Sequence, residues 1–451
     1  MPITLLGYLI APRKAKNVVL LFFSLLFYWW GEPKYALLMV FTITFCYFAG
    51  IIIENRRNSP KGKLLLSFSV AVPLGFLALF KYADFLLGTV NSLTSADLPL
   101  LKLALPIGIS FYTFQAISYL IDVYRGDAPA QKNFISLATY ITLFPQLIAG
   151  PIVRYTTVEE DLNKRKHSLK KISEGIFRFT VGLGKKVLVA NLLGSLCTAY
   201  RESTDPSIVF AWVYAISFSL QIYFDFSAYS DMAIGMGKIL GFRFLENFNY
   251  PFVSKSITEF WRRWHISLGS WFRDYVYIPL GGNRVGAGRQ IFNILVVWCL
   301  TGLWHGANWT FMAWGLYFGV LLIIEKLFLK KHLEKLPSVF QHLYVLLLVL
   351  ISFVLFNADS FSMAQSDLKL MFGLGGLPFM SADTVYSLSS YAILLATAFI
   401  GATPVVKKLC EKLRNKKLTF VLEGIFVAVI LILSTAYLVD GSFNPFLYFR
   451  F

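Results

Sequence analysis

Apolar runs of roughly membrane-spanning length recur from one end of the chain to the other, at 17–30, 36–53, 64–90, 104–121, 172–200, 207–240, 306–329, 343–357, 386–404 and 419–439. A crossing helix needs about 20 mainly apolar residues, so the pattern predicts ten or so spans and no soluble block between them. Three segments break the pattern. Residues 134–152 end in "FPQLIAGPI", residues 253–280 are apolar but interrupted by Arg262, Arg263, His265 and Arg273, and 290–304 is short. These predict broken, re-entrant or interfacial helices. Irregular backbone at membrane depth is tolerated only where it is buried in protein or lines a wet cavity, so the middle of the chain is expected to surround a cavity.

Short basic loops set the orientation: "RKAK" at 13–16, "ENRRNSPKGK" at 54–63, "NKRKHSLKK" at 163–171, "KKHLEK" at 330–335 and "KKLCEKLRNKK" at 407–417. By the positive-inside rule these face the cytoplasm. One apolar span separates the last of them from the C-terminus, so the tail 440–451, "DGSFNPFLYFRF", is expected on the extracytoplasmic side of the membrane. The longest external loop is then 358–385, whose apolar middle reads as a surface helix. The first apolar stretch, "ITLLGYLIAP", lacks the basic start and cleavage site of a leader, so the mature chain is expected to begin at Met1.

Composition sharpens this picture. Of 451 residues, 57% are hydrophobic and 15% charged, against roughly 45–50% and 25% in soluble domains. The net charge of +17 lies in loops between apolar runs, which fits membrane orientation and excludes a nucleic-acid face. Four dispersed cysteines and the absence of ligand spacing give no disulfide framework and no metal site.

Candidate chemistry is concentrated in few residues. Of five histidines, His167, His332 and His342 sit in or beside polar loops, leaving His265 in "EFWRRWHISLGSWFRDYVYIPLGGNR" and His305 in "WCLTGLWHGANWTFMAWGLYFG". An ionisable group within a span is costly and usually faces a cavity or serves a function; the plain alternative is a neutral imidazole bonded to a neighbouring helix. Asn308, three residues after His305, is expected on the same helix face, where it would orient the ring or bind a carbonyl. Gly302, Gly306 and Ala307 keep that helix slim enough for close approach. Arg262, Arg263 and Arg273 with Trp261 and Trp264 suit either interfacial anchoring or an anionic ligand, with Asn283 in the Gly-rich "LGGNR" turn beside them and Trp304 next to His305. Asp225, Asp231 and Asp122 lie in apolar sequence and are expected to be paired; Asp225, Asp231 and Gln115 are the cavity-lining candidates.

The two histidine segments, with "PIGISFYTFQAISYLIDVYRG", "LFPQLIAGPIVRY" and "YFDFSAYSDMAIGMGKILGFRFLENFNYPF", resemble the membrane-bound O-acyltransferase superfamily, in its bacterial alginate, peptidoglycan and cell-wall polysaccharide branch. The likeness runs from about residue 20 to the C-terminus; the start departs from it, with a shortened first helix. The resemblance implies an all-α polytopic membrane protein, a ring of about 10–12 tilted transmembrane and re-entrant helices around a central funnel or tunnel, forming one domain over 1–451 in the bacterial inner membrane. It implies that His305 matches the embedded catalytic histidine and His265 the second histidine of the branch. The implied donor is acetyl-CoA, its nucleotide held near Arg262, Arg263 and "LGGNR". The implied acceptor is an extracytoplasmic polysaccharide, served through an SGNH-type transferase partner. In the related teichoic-acid D-alanylation system a small partner ends in Phe-x-Tyr-x-x-Phe, and Phe446, Tyr448 and Phe451 match that spacing here. Tyr448 is thus either an acyl relay or an interfacial anchor. D-alanyl transfer and a non-catalytic polysaccharide exporter are the other functions this sequence leaves open.

Overall fold

The computed structural model describes residues 2–413, 417–441 and 446, with no side-chain description at 413 and 417–420. Among the described residues every regular element is helical. The chain forms two compact units, 1–175 with 233–245, and 176–232 with 246–451; the helix Ile208–Leu240 contributes to both.

Among the described residues six helices are long and apolar enough to cross a membrane, or seven if the helices Ala382–Ser390 and Ala392–Gly401, bent by 59°, form one span. The others predicted as spans are helical but fall short for readable reasons. Lys16–Gly31 has 16 residues. Ile109–Arg125 has 17, because Pro106 and a left-handed Gly108 delay its start. Residues 172–200 carry Arg178, Lys185 and Lys186, and their middle is a π-helical stretch, Lys185–Ala190. The broken segments appear as read: 134–152 is a helix Phe134–Thr142, then Phe144–Leu147 started by Pro145, then irregular buried chain.

The first unit has a tyrosine-rich core in which Tyr8, Tyr112, Tyr119, Tyr140 and Tyr155 are almost wholly buried. Tyr155 packs edge-on against both Tyr119 and Tyr140, the ring geometry that aromatic quadrupoles favour. Gln115 is fully buried in this unit, and neither end of its side-chain amide finds a partner among the described residues.

The second unit is built on a tight pair, Ala287–His305 and Trp309–Ile324. The segment 290–304, short as an apolar run, is thus the middle of a 19-residue helix. Glycine sets the approach: a Cβ on Gly315 would strike the Trp298 carbonyl, and one on Gly302 the Phe311 carbonyl. The small-residue expectation at Gly302 holds, and the element that comes close is the chain's own next helix. Ser338–Asn357 leads from the basic loop 330–335 to a segment that carries the helix Phe361–Met371; the apolar residues 372–380, expected as a surface helix in 358–385, are instead turns and irregular chain.

Candidate functional site

His305 is the last residue of its helix. Gly306 then turns to extended backbone, and Asn308 starts the next helix as its N-cap, its side-chain oxygen accepting from the Thr310 N–H at 3.1 Å. This corrects the expectation that Asn308 shares a helix face with His305: the helix between them is broken. The Asn308 amide nitrogen donates to the Asp359 carbonyl at 3.1 Å, so both ends of the side chain brace the turn. The His305 ring, 6% exposed, is walled edge-on by Trp304 and Trp314, both at 5.1 Å, and by Phe356 at 5.4 Å.

His265 arrives on a different construction, a hairpin whose two feet stand on adjacent residues of one helix end. At the first foot, the Glu325 carboxylate accepts from the backbone N–H groups of Ile257 and Thr258 and from the Thr258 hydroxyl, at 2.6, 2.9 and 2.7 Å. It thereby caps the helix Ile257–Arg263, where an anion is favoured by the helix dipole. At the second foot, Lys326 donates to Asn283 at 2.8 Å. Between the feet the chain runs up through Ile257–Arg263, turns at His265 and returns through Ile266–Phe272 and the π stretch Arg273–Tyr277. His265 is in the left-handed region, φ 45° and ψ 53°. A non-glycine residue there costs roughly 1–3 kcal/mol and is kept where surrounding structure over-determines it.

That surrounding structure is Asn247. Its backbone carbonyl accepts from the Ile266 N–H at 2.9 Å. Its side-chain oxygen accepts from the Ser267 N–H at 3.1 Å and the Ser267 hydroxyl at 2.8 Å, and lies 3.2 Å from His265 Nδ1. A backbone N–H can only donate, so the atom facing it is the amide oxygen, and His265 Nδ1 must carry the proton. In the neutral ring this leaves Nε2 with a lone pair. His265 is 1% exposed, and Nε2 has no partner among the described residues.

Trp304 joins the two histidines, with its ring 5.7 Å from His265 and 5.1 Å from His305. They are thus no farther apart than the sum of those distances. Trp314 extends the layer from His305 to Trp261, at 5.1 and 5.6 Å, and Trp264 packs behind it on Phe248 and Phe353. Within this apolar layer four further buried polar atoms lack partners among the described residues: Asn247 Nδ2, Trp261 Nε1, Trp314 Nε1 and Thr310 Oγ1. Burying an unsatisfied donor or acceptor costs about 1–3 kcal/mol. Such a concentration in one place marks a site that water or a ligand completes.

The remaining candidates fall at other places. Arg263 is tied to Glu259 at 2.8 Å and Arg273 to Asp274 at 2.6 Å, whereas Arg262 is exposed. Asn283 accepts from Tyr277, Gln290 and Lys326. Asp225 and Asp231 are paired as expected. Asp225 accepts from Lys186 at 2.6 Å in a nearly dry ion pair, and Asp231 accepts from Lys185 and Arg178, each at 2.7 Å. Gln115 belongs to the first unit. Phe446 packs edge-on against Tyr229 at 5.0 Å, with the Lys186 ammonium 4.7 Å above its ring; Tyr448 and Phe451 lie outside the described residues. Residue-by-residue reading missed Asn247, Glu325 and Trp314. The first Asn of "LENFNYPF" and the Glu that follows the apolar run in "LLIIEKLF" are the available signals.

The MBOAT, membrane-bound O-acyltransferase family, profile matches residues 127–332. A probable alginate O-acetylase of Azotobacter vinelandii is 40% identical over 408 residues, which covers 89% of this chain and 82% of the relative. The peptidoglycan O-acetyltransferase of Helicobacter pylori is 35% identical over 413 residues, covering 84% and 78%. The teichoic acid D-alanyltransferase of Bacillus subtilis is 30% identical over 271 residues, covering 57% and 68%. The chain therefore belongs to the membrane-bound O-acyltransferase family and is a multi-pass membrane O-acyltransferase.

Proposed function

We propose that this membrane-bound O-acyltransferase takes acetyl groups from cytoplasmic acetyl-CoA and passes them across the inner membrane for O-acetylation of an extracytoplasmic polysaccharide. The observation that carries the reading is the meeting of His305 and His265 around Trp304, near the buried Asn247, Trp261, Trp314 and Thr310 atoms that lack partners among the described residues. Acetyl is favoured over D-alanyl because the match to O-acetylases is both closer and longer than that to the D-alanyltransferase. The whole chain acts as one acyltransferase domain, with the basic ends of its helices in the cytoplasm.

In this scheme the donor enters along the His265 hairpin, where Lys326 at its foot and the exposed Arg262 near the top of its upward leg offer cations to the nucleotide. Replacing Arg262 by Gln should then raise the KM for acetyl-CoA several-fold, and an unchanged KM would remove it from the donor site. His305 acts as general base: it takes the proton from an attacking hydroxyl as that oxygen bonds to the thioester carbonyl carbon. The C–S bond breaks, and CoA leaves as a thiolate that is then protonated. The N–H groups of Trp261 and Trp314 are donors available to the carbonyl oxygen as charge develops on it.

The attacking hydroxyl is that of Tyr448. A phenol, with pKa about 10, is easier to deprotonate than a sugar hydroxyl, and its ester is reactive enough for a second transfer. The position of Phe446 supports this reading. Ile430 lies against Gly184, ten residues before the helix ends at Asp440, yet Phe446 stands at Lys186, two residues from Gly184. An extracytoplasmic SGNH-type partner would complete the transfer to the glycan. The test is peptide mass spectrometry after incubation with isotopically labelled acetyl-CoA, for wild type, His305→Ala and Tyr448→Phe. Label on the C-terminal peptide that requires both residues is expected. CoA release that is unimpaired in Tyr448→Phe would make the tail an anchor, and release that survives His305→Ala would remove His305 as the base.

A further inference from the structure

Resting on the acetyl-transfer reading for its sidedness, we infer that this chain carries its own extracytoplasmic glycan-binding cleft, selective for uncharged or cationic sugar segments over polyuronates. Ser338–Asn357 runs from the basic loop to the far end of the second unit. There a cavity of about 480 Å³ opens between residues 200–206 and the helix Phe361–Met371, within the range of small-ligand sites. Its floor is an ion pair: both terminal nitrogens of Arg201 donate to the Asp367 carboxylate, at 2.7 and 2.6 Å. Ser362 and Ser366 stand in its walls, with Tyr200, whose buried ring stacks on Tyr214, behind them. Those two serines are exposed, stand one helical turn apart on the same face, and make no hydrogen bond to the protein among the described residues. Spare hydroxyls over a neutralised charge pair suit a ligand rich in hydroxyl groups.

Charge then selects among sugars. The segments 200–206, 359–370 and 381–384 hold five carboxylates, Glu202, Asp205, Asp359, Asp367 and Asp383, against two cations, Arg201 and Lys369. On a chain of net charge +17, this is an acidic island. A run of uronates would be repelled from it, whereas a neutral or amino sugar would not. The cleft also connects to the candidate active site. Arg201 donates to the Tyr214 hydroxyl at 2.7 Å and Tyr214 accepts from Asn357, the neighbour of the Phe356 ring that packs on His305. On the other side, Ser360 follows the Asp359 carbonyl held by Asn308. A glycan seated here would thus be held beside the place where the acetyl group emerges.

The test is ligand-observed saturation-transfer NMR, with titration, on the full chain in nanodiscs, using three probes: cellotetraose, the fully deacetylated chitosan tetramer and tetramannuronate. The first two are expected to bind at least tenfold more tightly than the third. Ser366→Trp, which fills the cleft from an exposed position, should cost at least tenfold in affinity, and Ser362→Trp should repeat the loss; thermal midpoints check that each variant is folded. Glu202→Gln should narrow the gap to tetramannuronate several-fold, and added salt should narrow it further. Equal binding of the uronate, no binding of any probe, or insensitivity to both tryptophans would overturn the inference. So would a Ser366→Trp variant that keeps its sugars but loses an associated transferase, since the cleft would then be a protein-docking site. Release of CoA from acetyl-CoA is measured on the same nanodiscs without sugar. Its absence in wild type would strike the acetyl-transfer reading while leaving the sugar result standing.

Discussion

Replacing Asn247 by alanine should free the His265 ring from its fixed tautomer. The side-chain oxygen of Asn247 serves three donors at once: His265 Nδ1–H, the Ser267 N–H and the Ser267 hydroxyl. The hydroxyl can rotate to another acceptor, but the other two donors are buried and cannot. At about 1–3 kcal/mol for each orphaned donor the loss is ~2–6 kcal/mol, a large fraction of a typical stability. Asn247→Asp keeps the acceptor and should keep the Nδ1–H tautomer. With 15N-labelled histidine, long-range proton–nitrogen correlations report the tautomer directly, and five histidines make the spectrum assignable with a His265→Gln reference. The expected result is an Nδ1–H ring in wild type and Asn247→Asp, and a mixture in Asn247→Ala. CoA release by the alanine variant should fall by about 10²-fold with little change in KM, the scale of a misplaced proton-transfer group. A ring in Asn247→Ala that keeps the wild-type tautomer would refute the reasoning, as would a fall in turnover of the same size in Asn247→Asp with its tautomer intact.

Three other substitutions probe the frame around the site. Gly315→Ala places a methyl against the Trp298 carbonyl, so the helix pair must spread at a cost of ~1–3 kcal/mol; a lowered thermal midpoint with lost CoA release is expected, and a neutral result would show that the pair has slack. Glu325→Ala strips the cap from the His265 hairpin and leaves two backbone N–H groups and the Thr258 hydroxyl without their acceptor. Denaturation should show a loss of ~3–5 kcal/mol, and Glu325→Gln, which keeps an acceptor, should lose much less. Lys186→Met strands the Asp225 carboxylate in a nearly dry setting, costing ~3–5 kcal/mol, whereas Lys186→Met with Asp225→Leu should return close to wild type. If the double variant is no more stable than the single one, the pair does more than neutralise itself.

Much of the fold could be read from the sequence, because spans are long and their apolar character is cumulative. The failures are local. The segment 290–304 looks short because Arg289 and Gln290 at one end and Thr301 and His305 at the other dilute its hydropathy, although all lie in one helix whose Gly302 packs on the next. Conversely, 172–200 looked like a simple span, and it is interrupted by a π stretch that carries Lys185 and Lys186, the partners of Asp231 and Asp225. Asn308 was misplaced by assuming an unbroken helix after His305. Yet "GANWT" already holds the signal that the helix stops, a Gly followed by an Asn suited to cap what comes next.

The site was legible to the extent that chemistry is carried by residue type, and illegible where it is carried by meeting. Two rare histidines in apolar sequence identify themselves; nothing local says that they share one tryptophan. His305 reaches it at the end of a helix that begins near the basic end of the unit, while His265 reaches it at the tip of a hairpin standing on Glu325 and Lys326. The return leg of such a hairpin needs no spanning length, so hydropathy cannot register it. What fixes its height is a carboxylate at its foot and one asparagine at its tip, both polar residues that burial would forbid without partners. A polar residue bordering an apolar run is therefore informative even where its neighbours give it no role. Asn247 and Glu325 stand where they do because the histidine they position could not otherwise hold a left-handed turn in a dry site.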